Sequence, residues 1–505
     1  MATINESDAP NWQLQEQLAN LRPDLGIEIR EELGGGLSGA NVYLVDCQLD
    51  GGSRLGVLKL ASASQAEQES RGNKRARESW LGAFMPEHFL QLGSPGDGNR
   101  VALLSSLARD RVEDCRTLQN ALVESFFYGR EHILFALAYT YRMEANRSWD
   151  AARLAPMRDC FQKPIRERLG DGWLTRWTTN ELPGPDHQAI RLEDLSERWP
   201  NPVAYLLNNA FWADDTTSQV RIPWIISHGD LNPRNVLCPS YHRWIGQQHS
   251  SREAQPTRLA EHISLIDMPY CGLAPFPFDL AFLASWLRFL LPEFDSRTRR
   301  DIVLDSYRAV IEEVRTGVRP GDVPADGVRF VDCVSTILGQ VRFAQPSMGA
   351  DIENAFLACL AAASLWQAIK LVDRAEPDPD ARQKAIAGFC LSALALKALL
   401  GLRGERLTGP DFELWPDPGA ARGSTWTEAA HSIGRRLEAL GDRPALLLVM
   451  GKQWAPYAQS PPESEIARLQ EEPNRIMEAL QSEPSPPTLG RLAAIGRLPL
   501  AAILD

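Results

Sequence analysis

The segment His228–Leu237 carries residue types that suit phosphoryl transfer on one short loop. Asp230 and Asn235 lie five positions apart in it, and the loop runs into the apolar pair Val236 and Leu237. A positioned carboxylate can accept the proton of an attacking hydroxyl, and a carboxamide oxygen can bind Mg²⁺. The loop therefore offers a proton acceptor at Asp230 and a metal ligand at Asn235, both facing one cleft.

A second carboxylate stands directly after another apolar run. Ile263–Ile266 is typical of a short buried strand, and Asp267 follows it. Mg²⁺ prefers hard oxygen ligands that it shares with substrate phosphates. Asp267 is therefore the candidate for the second metal-binding side chain.

Upstream, a glycine-rich segment lies between two predicted strands. Glycines allow backbone N–H groups to approach phosphate oxygens without obstruction by a Cβ atom. This segment is a candidate phosphate-binding loop, although a plain hairpin turn would have the same composition. Its members are Gly34, Gly35, Gly36, Ser38 and Gly39.

One lysine, Lys59, interrupts the apolar strand Leu55–Leu60. A lysine inside such a strand needs an anionic partner, because burying an unpaired charge is costly. Phosphate oxygens and a carboxylate of the next helix would serve. We choose Glu69 as that carboxylate, with Glu67 and Glu78 as alternatives.

The elements that must position these residues change in character along the chain. The N-terminal part is rich in predicted strands, and two of them flank a turn at Asp50–Ser53, as in an antiparallel hairpin. A charged, broadly helical segment separates them from a further strand, and helices dominate from Leu118 onward. The predicted strands are Ile27–Leu33, Asn41–Leu49, Arg54–Leu60 and Val101–Leu107, and the charged helical segment is Ser64–Leu90.

These patterns predict an α+β chain with five segments. They are an N-terminal lead-in (1–24), a β-rich lobe (25–108), a helical lobe (109–405), a proline- and glycine-rich linker (406–423) and a small C-terminal α/β region (424–505). The role of the last region is open, and we consider it a candidate binding surface for a protein partner.

Composition excludes several classes of protein. The formal net charge of −12 argues against a nucleic-acid binder. Eight cysteines in 505 residues, with no C-x-x-C pair, support neither a disulfide scaffold nor a zinc ribbon. The apolar stretches Ala355–Leu371 and Ala385–Leu402 contain Lys370 and Lys397, so we interpret them as buried helices rather than membrane spans. We expect a cytoplasmic protein that does not bind membranes.

In their order along the chain, these motifs resemble the protein-kinase-like fold, and more closely the aminoglycoside phosphotransferase and choline kinase family. The resemblance implies a bilobal fold with a small antiparallel N-lobe and a large helical C-lobe, and it implies ATP and Mg²⁺ as cofactors. By this resemblance Asp230 is the catalytic base, and Asn235 and Asp267 bind the metal. The nucleotide would be held by the glycine-rich loop, Lys59, Glu69 and a hinge that includes Ser106, Leu107 and Ala108. His228 and Asp279 would support the catalytic loop.

The same resemblance indicates a small acceptor. Gly229 and Asn232 stand where protein kinases that act on serine and threonine have an arginine and a lysine. Only twelve positions separate Asp267 from Asp279, which leaves no room for a segment that cradles a peptide. We therefore expect transfer of the γ-phosphoryl group to a hydroxyl of a small molecule.

The identity of the acceptor is open at this stage. Asp279 and Glu353 are acidic residues that would suit a cationic acceptor, but the sequence does not give their direction. Several of the 14 tryptophans could form an aromatic pocket for a cation, although core packing is the favoured interpretation.

A weaker resemblance, to the ternary complex associated domains of bacterial multidomain proteins, gives an alternative function. It depends on Val57–Lys59 followed by the charged helix Ala66–Glu78. By this alternative the chain is a kinase-like nucleotide-binding module of a signalling or defence protein that transfers phosphate weakly or not at all.

Overall fold

The computed structural model describes residues 11–33, 40–95, 100–107, 116–123, 130–166, 168–192, 195, 197–212, 219–238, 263–294, 296–344, 349–372, 381–401, 407 and 411–414. The chain divides into two compact units after Leu414, and the second unit, Trp415–Asp505, lies outside the described residues. The predicted C-terminal α/β region therefore lies outside them as well. The described part is a mixed α+β structure, β-rich in its N-terminal part and helical in its C-terminal part.

A five-stranded antiparallel sheet forms the N-terminal part, in the strand order β1-β2-β3-β5-β4. Side chains alternate across it, so Leu58 and Leu60 of the third strand are buried in its core while Lys59 lies on the opposite face. The strands are β1 (Glu28–Glu32), β2 (Asn41–Leu49), β3 (Gly52–Ser62), β4 (Phe89–Gly93) and β5 (Arg100–Ser106).

A helix follows β3 without a loop, because Ser62 starts it. The Ser62 hydroxyl accepts a hydrogen bond from the backbone N–H of Gln65, and the Gln65 side chain accepts one from the Ser62 N–H. This capping box satisfies backbone donors at the helix start. The helix covers Ala63–Arg77, so the expectation of helix through Leu90 is wrong at its end. Phe89–Gly93 pairs with β5 instead, a long-range pairing that local composition does not reveal.

The helical part is built around three helices, one short and two long, with apolar residues on nearly every face. Such helices lie in the centre of a fold, where all sides meet other elements. In chain order the helices are α1 (Asn11–Leu21), α2 (Ala63–Arg77), α3 (Leu118–Val123), α4 (Arg130–Arg147), α5 (Met157–Arg166), α6 (Trp173–Thr179), α7 (Pro202–Leu207), α8 (Phe278–Trp286), α9 (Arg297–Thr316), α10 (Val328–Arg342), α11 (Gly349–Val372) and α12 (Ala381–Gly401). The central three are α8, α11 and α12.

Short strands connect the helices. The antiparallel pair β11–β14 and the three-stranded sheet β13-β12-β6 flank the loop that carries Asp230. The segment predicted as a linker contains β15, which pairs in parallel with β8, because long-range pairing fixes these residues despite the nearby prolines. These strands are β6 (Arg116–Thr117), β7 (Arg153–Pro156), β8 (Ala189–Leu192), β9 (Arg198–Pro200), β10 (Gln219–Ile222), β11 (Trp224–Ser227), β12 (Val236–Cys238), β13 (Ser264–Leu265), β14 (Gly272–Pro275) and β15 (Asp411–Leu414).

Two helices are long and apolar enough to cross a membrane by length and composition alone. They cover Asp351–Val372 and Ala381–Gly401, and 94% and 72% of their most apolar windows are buried inside the fold. The two helices pack against each other, and the first also packs on α8 and α5. Their apolar character is thus accounted for by contacts within the chain.

Helix α2 comes unusually close to the segment that follows Asp267. A Cβ atom at Gly72 would lie 1.8 Å from the carbonyl oxygen of Met268, well inside the sum of van der Waals radii. Only glycine permits this approach of a helix to another backbone. Gly72 thus has a packing role that offsets its low helix propensity.

We expect Gly72→Ala to lower the free energy of unfolding by about 1–3 kcal/mol, because the added methyl group must push Met268 away. Gly339, in α10, is a matched control, since a Cβ there meets no described atom within 4 Å outside its own helix backbone. Gly339→Ala should raise the free energy of unfolding by about 0.4–1 kcal/mol, because alanine restricts the unfolded chain. Urea unfolding measures both values, and equal shifts in the two variants would contradict the close approach.

Candidate active site

The loop that follows β11 is held in place by the carboxylate of Asp279, in the first turn of α8. Asp279 is fully buried and accepts hydrogen bonds from the backbone N–H groups of His228, at 2.6 Å, and Gly229, at 2.9 Å. It also accepts one from the Tyr141 hydroxyl, at 2.8 Å. Burial, and next the Asp279 charge, hold the pKa of Tyr141 well above its ordinary value, so the hydroxyl stays a donor. Three donors thus satisfy a charge that would otherwise be costly to bury.

The ring of His228 joins the same loop to the next strand. Its Nδ1 atom accepts a hydrogen bond from the backbone N–H of Asp230 at 3.2 Å, and its Nε2 atom lies 2.9 Å from the carbonyl oxygen of Ile266. Because a carbonyl only accepts, Nε2 must carry the proton. Both ring nitrogens are therefore engaged, and the arrangement suits a support for Asp230 rather than a base.

Gly229 permits the sharp turn before Asp230. Its φ angle of +84° lies in the left-handed region, and a Cβ atom there would stand 2.2 Å from the carbonyl oxygen of Tyr270. A side chain at this position would be both strained and obstructed. The glycine that distinguishes this motif in the sequence is thus explained by backbone geometry alone.

The two asparagines of the loop have different tasks. Asn232 caps the turn, because its carboxamide oxygen accepts from the backbone N–H groups of Arg234, at 2.9 Å, and Asn235, at 3.2 Å. Asn235 donates its own side-chain N–H to the carbonyl oxygen of Asp230 at 2.9 Å. The carboxamide oxygen of Asn235 is therefore the atom that can serve as a ligand.

Asp267 is brought to this loop by the neighbouring strand. The backbone N–H of Ile266 donates to the carbonyl oxygen of Asn235 at 3.0 Å, so Asp267 follows directly after the junction. Asp267 has a φ angle of +61°, a left-handed conformation that residues other than glycine seldom adopt. Such strain persists where the surroundings enforce it, and it is concentrated at functional sites.

The Lys59 side chain, on β3 of the sheet, contacts two carboxylates from other elements. Its ammonium lies 2.7 Å from the Glu69 carboxylate on α2 and 3.0 Å from the Asp267 carboxylate. The side chains of Lys59 and Glu69 are 19% and 10% exposed, so the pair is largely removed from water. Of the three glutamates considered as partners of Lys59, the structure brings Glu69 to it, whereas Glu67 pairs with Arg71 on the exposed face of α2.

This cluster holds two carboxylates and one ammonium. Burial acts to lower the pKa of Lys59, but the charges of Asp267 and Glu69 outweigh it, and the pKa of Lys59 is raised. Burial raises the pKa of Glu69; Lys59 opposes this, and the negative charge of Asp267 adds to it. Both shifts follow from an excess of negative charge in a poorly solvated place. A cation bound here would relieve that excess.

The available donor atoms suit Mg²⁺. They are a carboxylate oxygen of Asp267, whose side chain is 38% exposed, and the carboxamide oxygen of Asn235. Asp230 keeps its Oδ1 atom, which is buried and has no hydrogen-bond partner among the described residues, available to accept a proton. The two ligand atoms are hard oxygen atoms, the type that Mg²⁺ prefers. The residues present therefore fit the metal that the sequence motifs imply.

The predicted nucleotide-binding backbone is described only in part. Gly34, Gly35, Gly36, Ser38 and Gly39 lie outside the described residues, as does Ala108. In the predicted hinge, the N–H of Ser106 donates to the carbonyl oxygen of His88 at 3.1 Å, and the N–H of Leu107 donates to that of Leu55 at 2.9 Å. These two donors are thus used within the sheet, which leaves their carbonyl groups as the available contacts.

Lys370, near the end of α11, is a charged neighbour of Asp230 that the motifs did not reveal. Its ammonium lies 3.6 Å from the Asp230 Oδ2 atom. The sequence showed only a lysine in an otherwise apolar helix, and this pattern does not predict which residue the lysine contacts. Asp230 is brought to Lys370 by the fold, across 140 positions of the chain, and no local pattern predicts such a pair.

The raised pKa of Glu69 predicts a specific pH dependence of stability. The folded state binds a proton at Glu69 more readily than the unfolded state, so this contribution is present below the ordinary pKa of 4.5 and is lost as pH rises through the raised value. The free energy of unfolding of the wild type, relative to Glu69→Gln, should therefore fall as pH rises above about 4.5. Urea unfolding at a series of pH values measures it.

Glu67→Gln, on the exposed face of the same helix, is the matched control for that series. If the free energy of unfolding of the wild type instead rises toward neutral pH, relative to that of Glu69→Gln, the attraction of Lys59 dominates the cluster. That result would contradict an excess of negative charge.

Comparison with protein-family models gives no match for this chain, and neither does comparison with curated proteins. The assignment of this site therefore depends on the chemistry of its side chains. Asn235 is hydrogen-bonded to the carbonyl group of Asp230 and to the backbone of Ile266, next to Asp267. Lys59 joins Asp267 to the sheet and to Glu69 of α2.

Proposed function

We propose that the chain is an ATP- and Mg²⁺-dependent phosphotransferase with a protein-kinase-like fold, which transfers the γ-phosphoryl group to a hydroxyl of a small molecule. The observation that carries this proposal is the contact of Lys59 with both Glu69 and Asp267, beside a loop whose Asp230 keeps one carboxylate oxygen uncommitted among the described residues. Phosphoryl transfer needs mainly positioning and charge neutralisation, and this cluster supplies both.

The role of Lys59 follows from its pairing. Two carboxylates hold its ammonium in place and keep it protonated, so it offers a fixed positive charge next to the candidate metal ligands. Nucleotide phosphates would give this ammonium an additional anionic partner. Bound Mg²⁺ would neutralise charge on the phosphates, held by Asp267 and Asn235.

The role of Asp230 follows from its surroundings. Its backbone is fixed by His228, Asn232 and Asn235, which all hydrogen-bond to its N–H or carbonyl group. The backbone that carries the carboxylate is thereby fixed, and the carboxylate can accept the proton of an acceptor hydroxyl as the hydroxyl attacks. Such proton transfer by a positioned base contributes about 10²–10⁴-fold to a rate.

We expect Asp230→Asn to reduce phosphate transfer by about 10²–10⁴-fold, because the amide keeps the shape of the side chain but accepts no proton. The measurement is transfer of labelled phosphate from ATP to a panel of aminoglycosides, choline, sugars and nucleosides. Asp159→Asn is a matched control, since Asp159 is also a carboxylate paired with a lysine, Lys163, at 2.7 Å. Transfer that is unchanged in Asp230→Asn and in Asp267→Ala would refute the mechanism.

Thermal unfolding with and without MgATP separates this function from a non-catalytic one. A ligand that binds the folded state raises its stability by RT ln(1 + [L]/Kd). Asp230→Asn should retain stabilisation by MgATP, because the nucleotide contacts lie on Lys59 and Asp267. Stabilisation of the wild type without turnover would favour a nucleotide-binding module, and no stabilisation would count against both functions.

A further inference from the structure

Lys370 has the features of a ligand-binding residue rather than a structural one. At 3.6 Å, its ammonium is too far from the Asp230 carboxylate for a hydrogen bond, so the two charges attract without a fixed contact. Its side chain is 33% exposed, whereas that of Asp230 is 8% exposed. A lysine that only stabilised Asp230 would gain from a closer contact. No described residue accepts a hydrogen bond from this ammonium, so within the described part of the chain its donors are open to a bound molecule.

Aromatic rings position this ammonium. It lies 5.7 Å from the ring centroid of Trp366, one turn earlier on α11. The Trp366 ring makes an edge contact with Tyr270 at 6.3 Å, and the guanidinium of Arg168 lies over Tyr270 at 5.2 Å. The backbone carbonyl group of Tyr270 in turn lies directly against Gly229, the residue before Asp230. A series of contacts therefore runs from Lys370 through Trp366 and Tyr270 to the backbone beside Asp230, with the Arg168 cation over the Tyr270 ring.

The acidic residues that would suit a cationic acceptor are engaged elsewhere. Asp279 is fully buried and holds the loop through three hydrogen bonds. Glu353 pairs with Arg342 at 3.3 Å. The tryptophans considered for a cation pocket are core residues, namely Trp173, Trp177, Trp199 and Trp212.

Electrostatics then selects the charge of the acceptor. An acceptor whose hydroxyl reaches Asp230 must come close to the Lys370 ammonium, since these two groups are 3.6 Å apart. The acceptor hydroxyl meets Asp230, so the charge that matters is that of the group beside Lys370. A cationic group in contact with this ammonium would be repelled, whereas an anionic group would form a charge-assisted hydrogen bond, roughly twice as strong as a neutral one.

We propose that the acceptor carries an anionic group, a carboxylate or a phosphate, in addition to its hydroxyl, and that Lys370 binds this group beside Asp230. This inference rests on the proposed function and names the substrate class of the same site. In the reaction, the acceptor oxygen forms a bond to the γ-phosphorus while the bond from that phosphorus to the bridging oxygen of ADP breaks. The hydroxyl proton passes to Asp230 and then to solvent, and ADP leaves with the bridging oxygen.

The test uses the full chain with MgATP and four small hydroxyl-bearing acceptors that differ in charge. They are glycerol, which is neutral, glycerate and glycerol 3-phosphate, which are anionic, and choline, which is cationic. We expect the highest kcat/KM for an anionic acceptor, and the better of glycerate and glycerol 3-phosphate identifies the anionic group. Lys370→Met should lower that value by about 10- to 100-fold, mainly through KM, as expected for loss of a hydrogen bond between charged groups.

Two variants and one neutral acceptor isolate the charge of Lys370. Lys370→Arg should retain most of the activity, and Lys370→Met should lower kcat/KM about tenfold or more further for the anionic acceptor than for glycerol, because only the anionic acceptor loses a charge-assisted bond. Lys163→Met is the matched control, since Lys163 also lies over a tryptophan, Trp224, at 5.5 Å and also pairs with an aspartate, Asp159. It should leave the acceptor preference unchanged.

Preference for choline, or an equal loss with glycerol and the anionic acceptors in Lys370→Met, would overturn the inference. A readout without turnover separates it from the proposed function. Thermal stabilisation by glycerate or glycerol 3-phosphate in the presence of MgADP, present in the wild type and absent in Lys370→Met, would support the anion site even if no acceptor were phosphorylated. No stabilisation and no preference for the anionic acceptors would overturn it.

Discussion

A buried ammonium that must be compensated organises this molecule. Lys59 lies on the face of the sheet opposite its own apolar core, where an unpaired charge would be costly. Its two partners come from different elements, Glu69 from α2 and Asp267 from the segment after β13, which is 208 positions away in the chain. The contacts of Lys59 with these two carboxylates therefore link the strand-rich part of the described chain to its helical part. Gly72 then makes the same junction tight, because it lets α2 lie directly against the Met268 backbone.

The loop that carries Asp230 is stabilised on a different principle. Here the buried charge is Asp279, and its partners are neutral donors from the backbone and from Tyr141. A buried carboxylate whose hydrogen bonds all go to fixed N–H and O–H groups is held rigidly. It therefore fixes the backbone conformation of the loop. Asp230 differs in that its backbone is fully engaged while its carboxylate is not. Rigidity of the backbone and availability of the carboxylate are what a positioned base requires.

The sequence revealed what local patterns encode. The strand predicted at Asn41–Leu49 is observed with the same bounds, because alternation and the turn after it are local signals. Lys59 could be singled out because a charged residue in an apolar strand needs an anionic partner. The chosen partner, Glu69, lies on the helix that directly follows this strand. Elements fixed by distant pairing were missed, namely β4, which begins within the end of the segment predicted as helix, and β15 inside a predicted linker. Lys370 was missed for the same reason, since no spacing relates it to Asp230.

The two lysines of this site differ in a way that suggests different tasks. Lys59 is 19% exposed and touches two carboxylates at hydrogen-bond distance, so its position hardly depends on what else is bound. Lys370 is 33% exposed and stands 3.6 Å from a single carboxylate, so a better anionic partner can capture it at little cost. In the proposed phosphotransferase, a fixed cation would suit the nucleotide, which would be the same in every reaction cycle. A cation that can change partner, such as Lys370, would suit the acceptor. Its charge would then favour binding only of acceptors that carry an anionic group. On this view the acceptor is chosen in the helical part, through Lys370 on α11, while the phosphoryl donor is held through the sheet.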